Sequence, residues 1–263
     1  MLRPRLESLS AETDFARLGA TNTEGFGALV ATDGSPVGRG APEITRPSVT
    51  FLKSQRVIAF DNSHRMTRYY DMLRNLLRDN AEGQPPYTIA VTSPTAGCGT
   101  TVSAFNLALS FARIPDANVL LVDANMRDPA LGRLLGLPSP ITRLADDEAM
   151  TGMLTTLEFG NMRTHFLLPC WGDGRLSAAA ALQRFKTQIE HAKQFLKPTM
   201  IIFDVAPVLE TDETVPLVLE ADSIVMVLAT GGSKLSDIEV CETLLGARKN
   251  IQFVLNKSGK HGL

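Results

Sequence analysis

The chain has 263 residues, 44% of them hydrophobic and 21% charged, with a formal net charge of −2. These values describe an ordinary soluble globular protein, long enough for one large α/β domain plus a tail. The near-balanced charge gives no electrostatic reason to expect nucleic acid or an anionic membrane as main partner.

Residues 1–50 are rich in Gly, Pro, Ser and Thr, and their apolar residues keep no sustained period. They read as a flexible leader, with 21–48 mostly linker. The alternative is a segment that docks on a partner, in which Leu2, Arg3, Arg5 and Leu6 form a short amphipathic turn. No signal-peptide hydrophobic region stands at the N-terminus, and no apolar run approaches the ~18 residues of a membrane span. Ordered structure is expected from near Phe51, so 51–263 form the domain. The spacing of Met66, Tyr69, Tyr70, Leu73, Leu76 and Leu77 predicts a helix over 65–79, with Asn62 or Ser63 as its cap. Arg68, Arg74 and Arg78 lie off that stripe and read as a solvated basic face, or as a surface that meets a neighbouring subunit.

After Gln84-Pro85-Pro86 strands and helices alternate. Strands are expected over 88–91, 119–122, 165–168, 200–203, 223–228 and 252–255. Helices are expected over 102–113, 130–135, 176–196, 213–219 and 235–245. Several strands are continuous apolar runs, as in sheets buried on both faces. The pattern predicts an α/β fold: a mostly parallel, doubly wound sheet with helices on both faces. Ligands of such folds bind beyond the carboxyl ends of the strands.

The most informative segment is Val91-Thr92-Ser93-Pro94-Thr95-Ala96-Gly97-Cys98-Gly99-Thr100-Thr101. It lies between a strand and a helix, the context that a phosphate loop requires. Gly97 and Gly99 let backbone N–H groups close around a phosphate chain, and the following helix N-terminus favours an anion. Thr101 stands where a hydroxyl binds Mg²⁺. Thr100 stands where an ATP-handling loop has lysine. Asp123 and Asp204 each follow a four-residue apolar run, and two carboxylates at strand ends near a phosphate loop suit Mg²⁺ and water.

Leu120-Leu121-Val122-Asp123-Ala124-Asn125-Met126-Arg127-Asp128-Pro129 resembles the second acidic motif of bacterial tyrosine kinases, roughly LLxDxDxRxP. Ile202-Phe203-Asp204-Val205-Ala206-Pro207-Val208-Leu209 resembles their third, roughly IIDxPPVL. The loop from Thr92 through Asn106-Leu107-Ala108 resembles their first, TSxxPGxGKSTxxxNLA. Ala221-Asp222-Ser223 and Val254-Leu255-Asn256-Lys257 fit as well, and the resemblance covers 50–258. It implies the wider MinD/ParA-like P-loop NTPase fold. It also implies ATP or ADP with Mg²⁺ as cofactor, with nucleotide contacts from Gly97, Cys98, Gly99, Thr100, Thr101, Arg127 and Asn256. Asn256 is the candidate for adenine. Thr101, Asp123 and Asp204 are the implied metal ligands, and Asp123 and Asp204 the catalytic acids. The family works with membrane polysaccharide co-polymerases in capsule and exopolysaccharide export.

The departures set the functional expectation. Thr100 removes the cation that stabilises charge on the β- and γ-phosphates. Asn125 replaces a second acid, and Val205-Ala206 replace a small polar residue and a proline. Cys98 replaces a common Glu and reads as a small packed thiol. The tail after Asn256 carries no tyrosine; the tyrosines are Tyr69, Tyr70 and Tyr87. The family's Glu-x-x-Arg subunit contact appears here with reversed signs, as Arg68 and Asp71.

The leading expectation is a degenerate, kinase-like P-loop protein. It is cytoplasmic, recruited to the inner membrane through a co-polymerase, and binds nucleotide weakly or not at all. Assembly into a homo-oligomer is a further expectation; contact with nucleic acid and direct membrane insertion are not expected. One alternative is an active ATP-dependent autokinase in which Arg127, Lys234 or Lys257 replaces the lost lysine. Another is a MinD/ParA-like positioning ATPase, disfavoured by the lack of an amphipathic membrane helix and of a basic patch. Cys98, Cys170 and Cys241 form no CxxC pair and read as reduced thiols, and the scattered His64, His165, His191 and His261 give no zinc spacing.

Overall fold

The computed structural model describes residues 42–79, 85–137, 153–169, 177–212, 214–246 and 250–258. The amphipathic turn proposed for Leu2 to Leu6, Cys170, His261, the first residue of the expected helix 176–196 and the first of 213–219 lie outside the described residues.

The described chain runs β1 (Glu43–Thr45), α1 (Val49–Ser54), α2 (Thr67–Asp79), β2 (Tyr87–Thr92), α3 (Thr100–Ala112), β3 (Val119–Ala124) and α4 (Leu131–Leu135). It continues through the hairpin β4 (Met153–Phe159) and β5 (Met162–Leu168), then α5 (Ala178–Leu196), β6 (Met200–Val205) and α6 (Thr214–Glu220). It closes with β7 (Ser223–Ala229), α7 (Leu235–Leu245) and β8 (Asn250–Asn256). The eight strands form one sheet in the order β1-β4-β5-β3-β6-β2-β7-β8. Every neighbouring pair is parallel except β4 with β5. The α/β, mostly parallel sheet is the architecture that the strand–helix alternation predicts.

The central strands divide their side chains between two cores by simple alternation. Ile89, Val91, Val119, Leu121 and Ile202 face one core together with residues of α2 and α3. Ala90, Leu120, Val122 and Ile201 face the other, with Phe185 of α5, Val218 of α6 and Cys241 of α7. The sheet is therefore covered on both sides, which is why its strands read as unbroken apolar runs.

Three expectations change. Ordered structure begins before Phe51: β1 pairs with β4, and Ser48 caps α1 by accepting the Phe51 N–H at 3.1 Å. The 42–50 region is thus partly sheet, because β4 offers an edge that its sequence alone does not reveal. Helix α2 starts at Thr67, so Asn62 and Ser63 do not cap it; Asp61 instead accepts the Ser63 N–H and hydroxyl at 3.0 and 2.6 Å. Arg74 does not lie on a solvated face. It donates to the Ser110 carbonyl of α3 at 2.9 Å and to Asp71 at 3.2 Å.

One buried amide ties the front of the domain to the helix that follows the phosphate loop. Asn106 of α3 accepts the N–H groups of Ile58 and Ala59 at 2.7 and 2.9 Å. Its own N–H groups donate to the carbonyls of Arg56 and Val102 at 3.0 and 2.8 Å. Both acceptor lone pairs and both N–H donors of this fully buried side chain are used.

Candidate functional site

The strands β2, β3 and β6 are neighbours in the order β3-β6-β2, so their carboxyl ends deliver the loop after β2, Asp123 and Asp204 to one place. Asp123 and Asp204 are register partners across β3 and β6. Beside them opens a cavity of about 270 Å³. Among the residues lining it are Gly97, Gly99, Thr100, Thr101, Arg127 and Asp204. Asp123 lies beneath this lining, while Cys98 and Asn256 sit behind the loop.

The loop has the backbone of an anion cradle. Gly97 and Gly99 have φ of +80° and +90°, a region that favours glycine. Helix α3 begins directly after Gly99 with no side-chain cap, so its first N–H groups remain for a guest. A Cβ on Gly97 would meet nothing within 4 Å. A Cβ on Gly99 would collide with the Asn256 amide. That amide donates to the Cys98 carbonyl at 2.8 Å, and its oxygen accepts the Lys257 N–H at 2.8 Å. Asn256 thus supports the loop from behind, through β8.

The position of the missing lysine is occupied by a short side chain turned into the loop. Thr100 Oγ1 donates to Ser93 Oγ at 3.1 Å, and Ser93 donates to the Thr95 carbonyl at 2.9 Å. Cys98 is buried, with its thiol 3.3 Å from the Thr95 carbonyl. Lys234 and Lys257 do not line the cavity; Arg127 does, and its guanidinium makes no hydrogen bond or ion pair among the described residues. Asn125 also lines it, and its side-chain oxygen accepts the N–H groups of Arg127 and Asp128 at 3.2 and 3.1 Å. This turn presents the Arg127 side chain, and an aspartate could form it equally well.

The two carboxylates are each 1% exposed. Burial pushes Asp123 up to about 7, against the opposing pull of backbone N–H groups such as that of Leu131, 3.0 Å away. Burial and the adjacent Asp123 hold Asp204 well above the ordinary carboxylate range, partly offset by a hydrogen bond from Thr101. Asp123 Oδ1 and Asp204 Oδ2 have no hydrogen-bond partner. Two adjacent buried carboxylates with an orphaned oxygen each, beside a threonine hydroxyl, are a hard oxygen donor set that fits Mg²⁺. The phosphate cradle fits in its backbone and lacks the usual cation.

Two participants carry little signal in the sequence. Ser93 receives the Thr100 hydroxyl, and Glu210, four residues beyond the Asp204 motif's Ala206, accepts the Ala96 N–H at 2.5 Å. Only the folding of the 206–210 segment against the loop brings Glu210 there.

No protein-family model matches the chain, and neither does any curated protein sequence. Solved structures do match. The kinase domain of the Escherichia coli tyrosine kinase ETK superposes with a TM-score of 0.60 at 18% identity, over 78% of this chain and 81% of that one. The chimerical protein CapA2B2 gives 0.59 at 16% identity, over 81% and 92%. The VpsO kinase domain gives 0.57 at 18% identity, over 81% and 100%. The chain therefore has the kinase-like P-loop fold of bacterial tyrosine kinase domains. No helix among the described residues is long and apolar enough to cross a membrane.

Proposed function

We propose that this protein is a degenerate kinase-like P-loop protein, acting as a cytoplasmic partner of a membrane polysaccharide co-polymerase in exopolysaccharide export. The observation that carries this reading is the Thr100–Ser93 hydrogen bond: the loop's cationic position is filled by a neutral side chain bonded inward. When bound, Mg²⁺ and nucleotide would supply the electrophilic phosphoryl group. Thr101, Asp123 and Asp204 would hold the metal, and the backbone around Gly97 and Gly99 would hold the phosphates. Without a lysine, the transition-state charge has no fixed cation at the loop, so transfer is slow or absent.

The tyrosines support the same conclusion. Tyr70 is buried, and burial pushes its hydroxyl up to about 12. Tyr87 is half-buried and shares a hydrogen bond with Ser223 at 2.5 Å. Tyr69 receives a hydrogen bond from Arg68 at 2.8 Å, with the guanidinium also stacked 4.8 Å over its ring. None is presented as a free phosphate acceptor.

Arg127, without a partner among the described residues, favours a second reading, an active autokinase in which a guanidinium replaces the lysine. Calorimetric titration of Mg·ATP into the wild type and Thr100→Lys separates the two. The degenerate site binds weakly, and Thr100→Lys gains about tenfold or more, the size of one charge-assisted contact. Tight binding by the wild type, with phosphotyrosine formed on incubation, overturns the degenerate reading in favour of the autokinase.

A further inference from the structure

Beyond β2 and β6 the chain stays zipped. Thr92 Oγ1 donates to the Ala206 carbonyl at 2.8 Å, the Val208 N–H to Ser93 at 2.9 Å, and the Leu209 N–H to Pro94 at 3.1 Å. The next contact in this series differs in kind. The Ala96 N–H, inside the loop, donates to the carboxylate of Glu210 at 2.5 Å. Because the backbone of 206–209 is pinned to the loop, the exposed Glu210 side chain starts at the cavity that it lines.

A carboxylate oxygen is chemically the kind of guest an anion cradle accepts. The ionisable residues lining the cavity are Arg127, Asp128, Asp204 and Glu210. Asp128 is paired with Arg133 at 2.9 Å, and Asp204 lies buried against Asp123. Glu210 is thus the lining carboxylate that accepts a loop backbone N–H, and the residue at the position of the lysine that would offset its charge is Thr100.

We propose that Glu210 is a built-in competitor for the phosphate loop: its carboxylate takes a loop N–H and sets a fixed negative charge at the cavity. A polyphosphate enters fully only when this side chain leaves or is neutralised. The proposal rests on the nucleotide-site reading above and adds to it the residue that regulates occupancy. The rival role is a neutral staple that merely holds the loop in shape, and the two roles predict opposite signs. Glu210→Gln keeps an acceptor oxygen and removes the charge; Glu210→Ala removes both.

The test is titration of Mg·ADP into the wild type, Glu210→Gln, Glu210→Ala, Thr100→Lys and the Thr100→Lys/Glu210→Gln double variant. It is paired with amide exchange at Ala96 in the nucleotide-free proteins. The competitor role gives about tenfold tighter ADP binding in both Glu210 variants, a further gain in the double variant over Thr100→Lys, and faster Ala96 exchange in Glu210→Ala. Weaker binding by Glu210→Ala, or a Glu210→Gln affinity equal to the wild type's, overturns it in favour of the staple. If Thr100→Lys binds ADP and the double variant binds no tighter, the role of Glu210 falls while the nucleotide site stands. If no variant binds ADP, both fall.

Discussion

Asp123 shows how a residue readable as a motif acquires its chemistry from the fold. Its side chain follows an apolar strand in the sequence, but its titration is set by burial beside Asp204. A carboxyl that ionises near 3.9 in an unfolded chain and about 7 in the folded one stabilises the fold while protonated. That contribution is complete below pH ~4 and is lost as the pH rises through ~7. Asp123→Asn, which keeps the shape without the charge, therefore gains stability relative to the wild type at pH 8 and less at pH 5. The expected gain is about 1–3 kcal/mol in metal-free buffer, since an uncompensated buried charge is removed. Urea midpoints at the two pH values check it; a larger relative gain at pH 5 would contradict the sign. The same scale explains Thr100 and Asn125. Both side chains are neutral, and their bonds to Ser93, Arg127 and Asp128 show what each does in the fold.

At the scale of elements, α2 against α3 is the junction where the sequence pattern is most misleading. The apolar stripe of α2 is legible, and Met66, Tyr70, Leu73 and Leu77 are buried as a period near 3.6 requires. The polar residues between them read as solvated, yet Asp71 accepts from Ser110 at 2.6 Å and from Arg113 and Arg74. Burial alone would raise the Asp71 carboxyl; the Arg113 and Ser110 hydrogen bonds outweigh it and hold the group below its ordinary value. The reversed-sign pair suggested for subunit contact is therefore engaged inside the chain, Asp71 with α3 and Arg68 with Tyr69. Asp71→Ala leaves two partly buried guanidinium groups without their acceptor and costs about 1–3 kcal/mol. The loss should appear as a lower thermal midpoint at pH 7 and shrink as the pH falls through the carboxyl's lowered range; a pH-independent loss argues against the ion cluster. Of the β4–β5 hairpin, periodicity marks only the end of β5, expected over 165–168, and not β4. Its signal is the Gly160-Asn161 pair between Phe159 and Met162, a two-residue turn that closes an antiparallel register.

Across the whole molecule, the site depends on a sheet that is packed on both sides. Phe105 of α3 is fully buried and meets Phe166 of β5 edge-on at 4.9 Å between ring centres. This contact joins the helix behind the phosphate loop to the strand beyond Asp123. Phe105→Ala removes a large buried side chain and costs about 3–5 kcal/mol of folding free energy, measured by denaturant unfolding. A loss below about 1 kcal/mol would mean that the core closes around the gap.

Local patterns were enough for the α/β class, the central strands and the strand–glycine loop–helix unit that holds Gly97 and Gly99. Such features arise from hydrophobic periodicity and backbone requirements, which act over a few residues. Strand order, the pairing of Asp123 with Asp204, the inclusion of β1 at the sheet edge and the arrival of Glu210 at Ala96 were decided only in three dimensions. The last three each join residues more than 80 positions apart, and nothing in a local window specifies which distant segment will supply the partner. The physical reason is that the charge at this site is a sum over neighbours brought together by packing: the chain names the groups, and the fold determines which of them face one another.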